Sequence, residues 1–162
     1  MYIIDKLFGF LPLGLFIYHL FSLFKENNGN NEKFKHIIQT SKSLIIMCVS
    51  NILKEYFQVE RQIKSNLEKP EYLHSVILNS YIYLFGSNFS FPSTHSIFFT
   101  SYLISNRKTW NIFICILGIF SRVFYEHHTW FQAIMGIILG MAIELIIYFI
   151  LAFRKTKKVK IV

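Results

Sequence analysis

Three short clusters in the chain hold side chains suited to gripping and cleaving a phosphate. The first is Lys54, followed seven positions later by Arg61. Seven residues make about two helical turns, so both cations can share one helix face. The second is Pro92-Ser93-Thr94-His95, which opens an apolar run. A proline at a helix start leaves the next backbone N–H groups free, and together with the Ser93 hydroxyl they form a seat for a phosphate. The third is Ser121-Arg122, then His128, then Gln132 one helical turn further on. Three cations and two histidines thus fall in the clusters, arginine able to grip two oxygens through its fork and lysine acting as a point charge. The two histidines add groups that change charge near neutral pH. His74 and His127 lack such company and read as interfacial or solvated side chains. Glu55, Glu60, Glu68, Glu71 and Glu126 are scattered among basic residues rather than gathered for magnesium, so neither a metal nor a cofactor is expected.

The elements that must position these clusters are apolar. Of 162 residues, 53% are hydrophobic and 18% aromatic, far from an ordinary soluble composition. Apolar runs recur near 7–24, 43–59, 93–105, 109–125 and 131–153, and a membrane span needs about 20 residues, with roughly 17 as a working minimum. Four runs qualify; the one at 93–105 reaches only roughly 20 Å as a helix. The expectation is an all-α, polytopic membrane bundle of about five spans, forming a single domain over 1–162 with a basic tail at 154–162. The first run lacks a small-residue cleavage site and reads as a retained anchor. Cys48 and Cys115 lie inside runs and read as buried small apolar residues rather than a disulfide. Glu144 is the one ionisable group well inside a run, and pairing across helices is expected of it rather than a transport path.

Charge placement gives a sidedness. With the spans laid alternately, one side holds Lys25, Lys33, Lys35, Lys42, Arg107, Lys108, Arg154, Lys155, Lys157, Lys158 and Lys160, eleven of the 17 basic residues. That side is expected to be cytoplasmic. The net charge of +8 therefore reads as a topology anchor and not as a nucleic-acid surface. The three clusters then open on the opposite face. Tyr72 to Phe91 must lie along the interface, because crossing there would put the first two clusters on opposite sides. Asn88-Phe89-Ser90 matches an N-glycosylation acceptor, but its closeness to the membrane disfavours occupancy.

Lys54-x6-Arg61, Pro92-Ser93-Thr94-His95 and Ser121-Arg122-x5-His128 resemble the signature motifs of the type 2 phosphatidic acid phosphatase superfamily, K-x6-R-P, P-S-G-H and S-R-x5-H-x3-D, in the right order between residues 54 and 132. Ser121-Arg122-Val123 and His128-Thr129-Trp130-Phe131-Gln132 are similar in particular to the dolichyl-diphosphatase branch. The resemblance implies that His128 attacks phosphorus and becomes a phosphohistidine, while His95 protonates the leaving oxygen and then activates water. It implies a phosphate cradle of Lys54, Arg61, Ser93, the amides near Thr94, and Arg122, with Gln132 orienting His128. The implied reaction converts dolichyl diphosphate to dolichyl phosphate and phosphate at the luminal face of the endoplasmic reticulum, a step of lipid metabolism serving protein N-glycosylation. Phosphatidate, another polyprenyl diphosphate, or a silent lipid-binding role are the alternatives. Membrane lipids and the lipid substrate are the expected partners. Gln62, Thr94 and Gln132 depart from the superfamily's Pro, Gly and Asp; the dolichyl branch also carries Gln at the last of these.

Overall fold

A computed structural model describes residues 2–25, 29–59, 90–106, 108–125 and 127–159. Arg61, Gln62, Asn88 and most of the interfacial stretch Tyr72–Phe91 lie outside the described residues. Five helices follow in order: α1 (Tyr2–Ser22), α2 (Asn30–Phe57), α3 (Thr94–Ser105), α4 (Thr109–Phe124) and α5 (Trp130–Val159). Among the described residues there is no strand, as expected of an all-α chain.

Each apolar run became a helix because its side chains have nowhere polar to go, and the helix satisfies its own backbone bonds. The outward faces remain apolar: Ile52, Phe113, Leu117, Leu145, Phe149 and Phe153 are all exposed. Water would not tolerate so continuous an apolar surface, whereas lipid does. By length and composition one helix segment, Trp130–Phe153 with a mean hydropathy of 2.5, is able to cross a bilayer. Leu7–Ser22 and Thr109–Phe124 are shorter apolar helices, and α3, at 12 residues, spans ~18 Å.

The interior inverts the usual order, with small polar groups inside. Ser50, Ser90, Ser93 and Ser96 are almost wholly enclosed, beside an apolar cluster of Ile46, Ile97, Phe98, Phe99, Cys115 and Ile143. Helix α3 is the hub, packing chiefly on α5 and then on α4. Glycines permit the approach. A Cβ on Gly136 would stand 2.7 Å from the Ser93 carbonyl oxygen, and one on Gly140 2.7 Å from that of Ile97. Gly136-x3-Gly140 thus lays α5 directly against the backbone of α3.

Three expectations change. Helix α2 begins at Asn30, so most of the supposed 25–42 loop is helical. Lys42 is therefore not a loop charge: its Nζ donates to Glu144 Oε2 at 2.8 Å and to Ser105 at 2.7 Å, with both ends of the ion pair buried. Desolvation explains the pairing, since a lone charge at that depth costs several kcal/mol; it also takes Lys42 out of the cytoplasmic count. Glu144 pairs across helices as expected, and also accepts from Ser101. Finally, Cys48 is exposed, facing outward beside Leu44 and Ile52, whereas Cys115 is buried.

Candidate active site

The motif residues meet where the end of α2, the start of α3, the end of α4 and the start of α5 come together. Lys54 lies in the last turn of α2, 2% exposed. The helix stops there because Gln58 takes a left-handed conformation (φ 50°) and its N–H closes onto the Lys54 carbonyl.

Phe91 and Pro92, joined by a cis peptide bond, lead into Ser93, the N-cap of α3. The Ser93 hydroxyl accepts from the Ser96 N–H and from the Ser96 hydroxyl, which leaves its own proton available to a ligand. The N–H groups of Thr94 and His95 belong to the first helical turn, where no intrahelical acceptor exists. Thr94, standing at the superfamily's glycine position, turns its hydroxyl to Ser50 of α2, one turn before Lys54. His95 Nε2 donates to the carbonyl oxygen of Gly9 at 3.1 Å. The bond fixes which ring nitrogen carries the proton, and it draws α1, expected only as an anchor, into the site.

Helix α4 ends at Phe124, and the chain folds back so that the N–H groups of His127 and His128 both reach the Arg122 carbonyl, at 3.0 and 3.1 Å. That return is the physical meaning of the five-residue gap between Arg122 and His128. Both side chains are buried, at 8% and 7% exposed. Gly9 also borders Arg122, since a Cβ there would stand 3.5 Å from a guanidinium nitrogen. Lys54, Arg122 and His128 are all near enough to His95 to act on it electrostatically.

Gln132 takes a place set by its distance from Thr129 rather than from His128. Thr129 N–H donates to Gln132 Oε1 at 2.9 Å and Gln132 N–H to Thr129 Oγ1 at 3.3 Å, a reciprocal capping box that starts α5. The remaining amide group donates to Ser90 Oγ at 2.7 Å. Gln132 Oε1, the atom expected to orient the His128 ring, here accepts from backbone. Among the described residues no group of three His, Cys, Asp or Glu side chains is gathered as for a metal ion.

The described site thus joins Lys54, Ser93, Thr94, His95, Arg122, His128 and Gln132. Sequence reasoning missed Gly9, Ser50, Ser90 and Thr129. The Thr129-x2-Gln132 pattern signals a capping box, and Ser50 sits one turn before Lys54; Gly9 carries no comparable signal. Residues 40–156 match the PAP2 superfamily. The chain belongs to the PAP2 superfamily. PAP2 superfamily members are phosphatases, and the lipid phosphatases among them act on lipid phosphates in membranes, which agrees with the apolar outer faces. No curated protein and no solved structure matches the chain.

Proposed function

We propose that the chain is a membrane lipid phosphatase working through a phosphohistidine, and that dolichyl diphosphate is its substrate. The observation that carries the reading is the convergence of the half-buried His95 with buried His128, Lys54 and Arg122 at one end of the bundle, next to an open helix N-terminus. Positive charge held in a desolvated place stabilises the spread-out charge of a transferring phosphoryl group without reorganisation. Helix α2 ends at Phe57, before Arg61, so the shared helix face expected of Lys54 and Arg61 does not hold; Arg61 joins the proposed cradle on its motif position alone.

A ring nitrogen of neutral His128 attacks the terminal phosphorus. The N–P bond forms as the P–O bond to the lipid breaks, and protonated His95 gives its proton to the departing oxygen. His95, now neutral, takes a proton from water; the hydroxide attacks phosphorus, the N–P bond breaks, and inorganic phosphate leaves. The cations do the electrostatic work that a divalent metal does elsewhere. The lipid tail stays in the bilayer while its headgroup enters the site.

The dolichyl assignment is supported by Ser121-Arg122-Val123 and by His128-Thr129-Trp130-Phe131-Gln132. A cytoplasmic C-terminus is supported by the basic residues, still in excess on one side without Lys42, and a luminal site in the endoplasmic reticulum by the resemblance to the dolichyl-diphosphatase branch. Inorganic phosphate release from dolichyl diphosphate and from phosphatidate, with and without a chelator, is the test. We expect release from dolichyl diphosphate to be faster, insensitive to chelator and abolished in His128→Ala. Wild-type rates in His128→Ala, or loss of activity in chelator, would sink the mechanism; preference for phosphatidate would move the substrate.

A further inference from the structure

We infer that Ser90 and Gln132 form a buried latch that holds the phosphate seat in register with the nucleophile, so that Gln132 is a positioning residue acting through Ser90 rather than on the His128 ring. The inference rests on the phosphatase reading for its kinetic consequence and on geometry for its existence. Gln132 is 6% and Ser90 1% exposed, so neither has water as an alternative partner. The amide has only one consistent orientation. Thr129 N–H can only donate, so the atom facing it is Oε1 and the atom facing Ser90 is the NH2 group. Ser90 Oγ accepts that bond and passes its own proton to the Val59 carbonyl at 3.1 Å, while Ser90 N–H donates to the same carbonyl at 2.8 Å. A second strut runs in parallel, from Ser93 N–H to the Gln132 carbonyl at 3.3 Å.

Three separate stretches are tied at one point: the exit of α2 just after Lys54, the loop ahead of Ser93, and the first turn of α5, which follows His128 directly. Each carries a group that must meet the same phosphate. A shift of about 1 Å between such groups is enough to cost on the order of a hundredfold in rate, and the latch is what fixes their spacing. It also accounts for glutamine at a position where the superfamily pattern has aspartate. Aspartate is one methylene shorter and carries no donor, so it can serve neither Thr129 and Ser90 together nor the Val59 relay.

Four variants, Ser90→Ala, Ser90→Thr, Gln132→Met and Gln132→Asp, test this in detergent beside wild type. The readouts are steady-state kinetics, orthovanadate binding, pH profiles and hydrogen exchange of the segment 90–97. Ser90→Ala and Gln132→Met are expected to lose about five- to tenfold in kcat, to bind orthovanadate more weakly, and to exchange faster over 90–97. The double variant is expected to be no worse than either single one. The pH limbs stay where wild type has them, because the histidines themselves are untouched, and Ser90→Thr regains most of the rate with its hydroxyl. Gln132→Asp is expected to be slower than wild type. A faster Gln132→Asp, displaced pH limbs in Gln132→Met, or unchanged exchange with unchanged kcat in both single variants overturns the latch. Faster exchange in a chain whose wild type releases no phosphate supports the latch and removes the phosphatase reading.

Discussion

In the proposed mechanism His95 and His128, which share a site with two cations, begin the reaction in opposite states, one protonated and the other neutral. Activity therefore rises with pH as His128 sheds its proton and falls as His95 sheds its own, giving a bell with its maximum on the acid side of neutrality. His95→Ala is expected to lose the alkaline limb; a wild-type profile flat from about pH 5 to 8 contradicts two titrating histidines. The Gly9 carbonyl holds the Nε2 proton of His95, so in the proposed mechanism the opposite ring nitrogen exchanges the proton with substrate. Thr94 makes a second prediction at this scale. Its hydroxyl partners Ser50, which has no solvent contact. Thr94→Gly, restoring the superfamily residue, leaves that serine without its partner and is expected to lower stability by about 1–3 kcal/mol. Thermal unfolding in detergent measures it, and adding Ser50→Ala is expected to recover part of the loss; a Thr94→Gly protein as stable as wild type refutes the pairing.

Helices α3 and α5 meet backbone to backbone, and the two contact glycines differ in what lies beneath them. A methyl on Gly136 would press on the Ser93 carbonyl and the Ser96 side chain, whereas one on Gly140 would press on Ile97 and Thr100, a turn farther from the phosphate seat. Both Gly→Ala changes overpack and are expected to cost roughly 1–3 kcal/mol. Only Gly136→Ala should also depress kcat/KM in the protein that remains folded, and equal activity in the two variants argues against this division. The helices themselves were legible because an apolar run of sufficient length has few other solutions. The start of α2 was not: Asn30 to Thr40 is rich in polar and charged residues and largely exposed, with Glu32 in the first turn paired to Lys35, and carries no hydrophobic signal. The site was legible where residue type announces chemistry, as with His128 and Arg122. It was hidden where a residue acts through backbone, as with Gly9, and Gln132 was read by analogy with aspartate although its partners are Thr129 and Ser90.

Taken whole, the bundle is pinned by polar groups at two levels. Twelve residues separate Lys54 from Lys42 along α2, and twelve separate Gln132 from Glu144 along α5, which places the ion pair about 18 Å from the site. There Lys42, Glu144, Ser101 and Ser105 knit α2, α5 and α3 together. Lipid offers helices little hydrophobic reason to associate, so such directional contacts select the neighbours. Breaking the pair from one side strands a charge in a place without water. Lys42→Met or Glu144→Leu alone is therefore expected to cost about 3–5 kcal/mol, while the double variant, which leaves no charge behind, regains most of it. Thermal unfolding in detergent reports the stability, and phosphate release by the double variant reports the site. Near wild-type turnover is expected from the double variant, because none of the site groups touches the pair. Stability losses that simply add would mean that the two charges do not depend on each other. Loss of turnover in a stable double variant would mean that the lower half of the bundle sets the geometry of the upper.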